Sequence, residues 1–327
     1  MQGYQGLDAG VRKMTRASKP AIASALAGVS GVTRDGQPMS YNRAASPELA
    51  PWIARVYVTI VDAPADHRLE CGLFNDTAFL RIQLAGDWTA QTVSGPLAYN
   101  REALFFGPQS RRMPLSVTGS FISIGISMRP GACHSLNGPS MGDHLDRIVR
   151  YGDLGGAAEK LLARFDPDGS PEEWMTILEK EVHKLAVRAD GATPDPVTIQ
   201  FEAASFSDPT ISIADFARNM GVEQRRLERI IRRDFGLPPK QVLRRARALD
   251  MASSLRGVAD VAEADELMLR FYDQSHLIRE FSEFFGMSPN QFVATPQPIL
   301  TLALESRQAR RLEAMARLAP GEARPWE

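Results

Sequence analysis

The sequence predicts an α+β protein of two domains, a β-rich N-terminal domain (a sandwich or cupin-like barrel with helices) followed by an all-α C-terminal domain. Three observations point to it. The chain has 327 residues, more than one hydrophobic core usually organises. Its apolar residues alternate in the first half and take helical spacing in the second. A helical segment also occurs twice, fifty residues apart.

Residues 1–48, rich in Gly, Ala and Ser without lasting periodicity, read as a partly disordered tail. The β-rich domain is expected over 49–190. Val56, Val58 and Ile60 alternate with Tyr57 and Thr59, and Ile122, Ile124, Ile126 and Met128 alternate with Ser123, Gly125 and Ser127, the period of a half-buried strand. Gly86-Asp87, Gly95-Pro96 and Gly107-Pro108 are expected to turn the chain between such runs. Ser170-Pro171-Glu172-Glu173 then starts a helix: Ser caps, Pro suits the first turn, and the acids face the positive end of the dipole. Its stripe of Trp174, Ile177, Leu178, Val182 and Leu185 needs a partner in the β domain, the preceding helix (about 156–165) or a second subunit. A linker over 191–206, a helical domain over 207–298, and a C-terminal helix and tail over 299–327 complete the expected organisation.

Two cysteines, Cys71 and Cys133, are far from a disulfide scaffold and fit a reducing compartment. The Ala-rich stretch of residues 20–32 is too short and too weakly apolar to span a bilayer, and it lacks a secretory pattern. A cytoplasmic protein without a membrane partner is therefore expected. The formal charge of −1 conceals an asymmetry. Residues 223–247 hold nine basic against three acidic side chains, whereas residues 250–283 hold three against eight. A concentrated basic block can neutralise phosphates whatever the net charge.

Setting residues 227–241 against 277–291 gives six identities in fifteen positions, Leu227/Leu277, Arg229/Arg279, Phe235/Phe285, Gly236/Gly286, Pro239/Pro289 and Gln241/Gln291. Chance gives about one. Each copy reads as a helix that stops at Phe-Gly and restarts after Pro. A shorter helix precedes the first copy: Ser212 and Asp215 have capping-box-like spacing, Ile213, Phe216, Ala217 and Met220 form its apolar face, and Gly221 permits a sharp turn. The C-terminal domain is thus a tandem helix-turn-helix. In the first unit Leu227, Ile230 and Ile231 face inward, leaving Gln224, Arg225, Glu228, Arg229 and Arg232 outward, with 225, 229 and 232 along one side. Such a face suits the major groove of double-stranded DNA, where Arg reads guanine, Gln reads adenine and Glu accepts from cytosine.

In the second unit Asp273 stands where an N-cap is wanted, and Gln274, Ser275 and Arg279 are the outward residues best able to reach bases. A linking helix from Pro239 to about Leu255, with Arg244, Arg245 and Arg247 in its basic part, would hold the two units apart. A separation of about 34 Å would let them enter two adjacent major grooves of a bipartite operator.

These residues resemble the AraC/XylS family of bacterial transcription regulators over residues 210–294. The match lies in Ser212-Ile213-Ala214-Asp215-Phe216-Ala217, Leu227-Glu228-Arg229, Phe235-Gly236-Leu237-Pro238-Pro239, Asp273-Gln274-Ser275-His276-Leu277-Ile278-Arg279-Glu280-Phe281 and Phe285-Gly286-Met287-Ser288-Pro289. The resemblance implies two helix-turn-helix subdomains joined by a long helix, with base contacts at Arg225, Glu228, Arg229, Gln274, Ser275 and Arg279. One departure is Arg270-Phe271-Tyr272, where the family usually has Gly followed by an aromatic residue. With Asp265 and Glu266 just before it, this implies a weaker second unit. Met128-Arg129-Pro130-Gly131-Ala132 and Asp153-Leu154-Gly155-Gly156 resemble, more loosely, the β-rich sensor domains of such regulators. That likeness implies that the N-terminal domain binds a small-molecule effector or makes the chain a homodimer.

The alternative is a cupin-like metal-dependent enzyme with a helical C-terminal domain. The β domain offers His67, His134 and His144 but no His-x-His pair, so neither a metal, a cofactor nor a catalytic residue is expected. Ala132-Cys133-His134-Ser135 faintly resembles the nucleophile of DNA alkyltransferases but lacks its flanking residues. Trp52, Trp88, Phe105 and Phe106 are candidates to line an effector pocket, although such residues are more often core.

Overall fold

In the computed structural model, residues 39–259 and 274–318 are described, without the side chains of 39, 274, 275 and 315–318. The described part of the N-terminal half holds eight strands: β1 (Met39–Arg43), β2 (Ile53–Val61), β3 (Arg68–Leu73), β4 (Phe79–Thr92), β5 (Gly95–Tyr99), β6 (Glu102–Phe106), β7 (Met113–Met128) and β8 (Ile148–Arg150). They form one sheet in the order β1-β2-β7-β4-β6-β8, with β3 added to β7 and β5 to β4. The pairings are antiparallel. The long β4 and β7 run side by side as the spine. Gly86-Asp87 does not turn the chain: both lie inside β4, where the register against β7 shifts between Gln83, Ala85 and Asp87.

The sheet starts ten residues earlier than the expected boundary of the tail, because β1 pairs with β2 in the register Tyr41↔Val58. Met39–Arg43 reads as polar, yet Tyr41 packs on the core and Arg43 donates to Glu172 (2.8 Å) and Glu179 (2.8 Å).

Alternation gives the sheet two apolar faces. Val56, Val58, Ile82, Ile124 and Ile126 share one cluster, and Tyr57, Phe79, Trp88, Leu115, Val117 and Phe121 share the other. The stretch of β7 over residues 121–128 is therefore covered on both sides rather than half-buried, since Ser123 and Ser127 lie inside as well. The first face is covered by a helix that follows two short ones, α1 (Ala132–Ser135) and α2 (Ala158–Leu162). This covering helix, α3 (Pro171–Arg188), opens with a capping box in which Ser170 accepts from the Glu173 backbone and Glu173 accepts from the Ser170 backbone. Its stripe of Trp174, Leu178 and Val182 packs on the sheet, so the β domain is the partner. Burying such side chains contributes about 1.5–3 kcal/mol each.

Residues 196–206, expected at the end of a linker, belong to α4 (Pro196–Ser207). Asp195 caps it by accepting from the Val197 backbone (2.9 Å), Pro196 suits its first turn, and Val197, Phe201 and Phe206 are buried. The remaining helices are α5 (Ile213–Asn219), α6 (Gln224–Phe235), α7 (Pro239–Leu255), α8 (Gln274–Phe285), α9 (Pro289–Ala294) and α10 (Pro298–Leu318). α10 returns to the sheet, where Ile299 joins the second apolar face.

An ionic cluster joins the helices to the loop before β4. Arg310 donates to Asp76 (2.8 Å) and Glu202 (3.1 Å), and Arg307 donates to Asp76 (3.2 Å) and to Asp250. Arg245 of α7, with 1% exposure, donates to the backbone oxygens of Gln109 (2.8 Å) and Asp76 (2.9 Å). Burial works to raise the Asp76 carboxyl, but Arg310, Arg307 and Arg245 hold it well below the usual carboxylate range.

Candidate nucleic-acid interface

Two short helices and a glycine turn build the first unit. Ser212 caps α5 by accepting from the Asp215 backbone (3.3 Å), and Gly221, at φ +64°, swings the chain into α6. Leu227, Ile230 and Ile231 then lock α6 onto Val197, Phe201 and Ala217. This packing leaves Gln224, Arg225, Glu228, Arg229 and Arg232 exposed on the opposite face. Gln224 donates to Glu228 (3.1 Å), one turn along. No acid among the described residues pairs with Arg225, Arg229 or Arg232, so these cations face solvent with their donors free.

The repeat has the same form in space as in sequence. α6 and α8 begin fifty residues apart and both end at phenylalanine followed by a left-handed glycine, Gly236 at φ +74° and Gly286 at φ +68°. Both restart at proline, Pro239 in α7 and Pro289 in α9. α8 buries Leu277, Phe281, Phe284 and Phe285 against α7, and Arg279 lies exposed on its outer side. Gln274 and Ser275 occupy the first two positions of α8, but their side chains are outside the described residues. So are Asp265, Glu266, Asp273 and the departure Arg270-Phe271-Tyr272.

The basic part of the linking helix is engaged within the protein. Arg244 donates to Glu280 (2.8 Å) and Glu283 (2.6 Å), and Arg247 reaches both oxygens of Glu280 (3.1 and 2.8 Å). Burial works to raise the Glu280 carboxyl, but the bonds from Arg247 and Arg244 hold it below its ordinary value. Arg245 is inside, as described above, and Arg233 donates to Asp234 (2.6 Å). Of the nine basic residues in 223–247, Arg225, Arg226, Arg229, Arg232 and Lys240 remain exposed and unpaired among the described residues. Arg226 and Lys240 were counted in the basic block but not singled out, because neither falls on the 225, 229, 232 side of α6. Phosphate contacts need no such alignment.

Of the four aromatics expected around an effector, Trp88 lines a cavity between the sheet and α10, and the Phe106 ring lies beneath the Arg81 guanidinium that faces it. Trp52 and Phe105 pack in the core on the other face instead. Burial pushes the Cys133 thiol up to about 12, which makes it a poor nucleophile. Among the described residues no group of three or more His, Cys, Asp or Glu side chains converges as a metal site would require, and no helix is long and apolar enough to cross a membrane.

Residues 216–295 match a family model described as a helix-turn-helix domain. No curated protein matches the chain. Among solved structures, an apo lysine-to-alanine variant of ToxT from Vibrio cholerae strain SCE256 aligns at 12% identity and a TM-score of 0.42, covering 77% of this chain and 99% of that one. ToxT from Vibrio cholerae O395 aligns at 10% and 0.41, covering 73% and 97%. The AraC-like transcriptional activator CuxR aligns at 12% and 0.27, covering 70% and 90%.

Proposed function

We propose that the chain is a transcription regulator of the AraC type, which reads a bipartite operator in the cytoplasm through the helix-turn-helix domain of residues 216–295, under the control of a small-molecule effector. The observation that carries the reading is the outer face of α6. Four arginines, 225, 226, 229 and 232, stand exposed and unpaired on the second helix of a capped helical pair whose inner face is fixed by Leu227 and Ile231. Arginine left without a protein acceptor suits guanine edges and phosphates, and Gln224 and Glu228 beside it add an amide and an acceptor for adenine and cytosine.

α8 supplies the second reading element through Arg279, with Gln274 and Ser275 ahead of it on the same helix. The clasp of Arg244 and Arg247 on Glu280 and Glu283 ties α8 to α7, so the two units meet DNA at a fixed spacing. The sheet domain supplies effector control because α10, continuing from the second unit, forms one wall of its cavity. Selection of bound fragments from genomic DNA followed by footprinting tests the reading. Two protected segments about one helical turn apart are expected; protection without sequence preference would refute it.

A further inference from the structure

A cavity of about 40 Å³ lies between the sheet and α10. Its walls are mostly apolar, with Leu73, Trp88 and Phe121 from the sheet and Ile299 and Leu302 from α10. Arg81 is the single charged side chain among the described residues that line it. It is 5% exposed, its Nε donates to the Tyr57 hydroxyl, and its guanidinium lies 4.5 Å from the centre of the Phe106 ring. No carboxylate among the described residues pairs with it.

Three buried arginines nearby do have carboxylate partners, whereas Arg245 is held by backbone oxygens. Arg307 and Arg310 meet Asp76, Asp250 and Glu202, and Arg129 lies 3.5 Å from Glu202. A buried cation without a counter-charge is costly, and an aromatic ring offsets only part of the cost. A second group in the same lining lacks a partner as well. The Asn75 side chain is 4% exposed, and its Nδ2 has no acceptor among the described residues.

We propose that this cavity binds a small organic monoanion, its charged group held by Arg81 and Asn75 and its apolar body between Trp88, Phe121 and Leu302. The assignment deepens the effector reading and rests on it for its regulatory meaning. A cation at one point of the wall and apolar side chains over most of the accessible lining select against both inorganic anions and neutral hydrocarbons. A carboxylate would accept from Arg81 Nη and Asn75 Nδ2, replacing water with charge-assisted bonds. The ligand would also touch Leu302 and Ala303, on the face of α10 turned to the sheet, so its presence bears directly on the helix that follows the second DNA-reading unit.

Calorimetric titration of the full chain without DNA tests the site separately from operator reading. The probes are benzoate and octanoate, each compared with its amide. At least one carboxylate binds, about tenfold or more tighter than its amide, and raises the melting temperature of the chain. Arg81→Gln abolishes that preference, with unchanged circular dichroism and unchanged DNA affinity in the absence of probe. Leu302→Trp, which fills the cavity and leaves Arg81 intact, blocks carboxylate and amide alike. Failure of both carboxylates to bind at millimolar concentration, equal binding of acid and amide, or full binding by Leu302→Trp would overturn the assignment. Loss of operator binding by the unliganded chain would count against the regulator reading alone.

Discussion

Tyr57 and Arg81 meet over Gly125. In the ladder Gly125 of β7 pairs with Tyr57 of β2 on one side and with Arg81 of β4 on the other, and the arginine Nε donates to the phenol oxygen across it. A Cβ at position 125 would sit 2.3 Å from both Cζ and Oη of Tyr57. Gly125→Ala is therefore expected to displace the Tyr57 ring, costing about 1–3 kcal/mol by overpacking. Urea denaturation gives the stability, and near-ultraviolet circular dichroism gives the ring. A variant as stable as the parent, with an unchanged aromatic spectrum, would contradict this packing.

The arginines of α6 and α7 should divide in their response to salt. Arg225 and Arg232 are exposed and unpaired, so replacing either with alanine is expected to lower the slope of log affinity against log salt by about one where it meets a phosphate. Arg247 is held by Glu280, so Arg247→Ala should leave the slope unchanged and instead loosen α8 from α7, visible as faster hydrogen exchange in residues 276–285. An equal change of slope in all three variants would show that the clasp opens on DNA.

Asp76 holds the helices to the sheet domain through Arg307 and Arg310. Asp76→Ala leaves two buried guanidinium groups short of counter-charge, with an expected loss of about 3–5 kcal/mol. The unfolding transition should also broaden or split as the sheet domain and the helices lose their common support. A single transition at the original midpoint would show that α10 is held by apolar contacts alone.

Much of this arrangement was legible in the sequence wherever one segment carried its own signal. The Ser170 cap, the Phe-Gly-to-Pro punctuation and the inward Leu227, Ile230 and Ile231 depend on neighbours within a few residues, and each lies where the spacing placed it. Long-range partners were not legible. Arg244, Arg245 and Arg247 read only as the basic part of the linking helix, yet the carboxylates of Glu280 and Glu283 and the carbonyl of Asp76 that engage them lie 33 to 169 positions away. β1 was taken into the tail for a related reason. Ser40 and Asn42 look like a wet face, but they line a cavity inside the sheet domain, as Ser123 does on β7.

Stability should fall as pH rises through a window set by Glu305 of α10. Burial pushes this carboxyl from 4.5 up to about 7, and no described residue bonds it. The folded chain therefore holds a proton that the unfolded chain releases between these values. The sign follows: the penalty is absent below about pH 4.5, grows up to about pH 7 and is complete above it. Glu305→Gln is expected to match the parent at low pH and to exceed it by about 2 kcal/mol at pH 8. Parallel curves for the two proteins would place Glu305 in solvent.

The duplicated helix reads DNA with its first copy dominant, because four unpaired arginines gather on α6 while α8 carries Arg279 as its single arginine. Gel-shift titration of Arg229→Ala and Arg279→Ala at one fixed salt concentration, on the selected operator and on unrelated DNA of equal length, tests it most directly. Arg229→Ala should lose about 1–3 kcal/mol on the operator and far less on unrelated DNA, with a smaller operator loss for Arg279→Ala. Equal losses on both DNAs, or the larger operator loss at Arg279, would contradict the account.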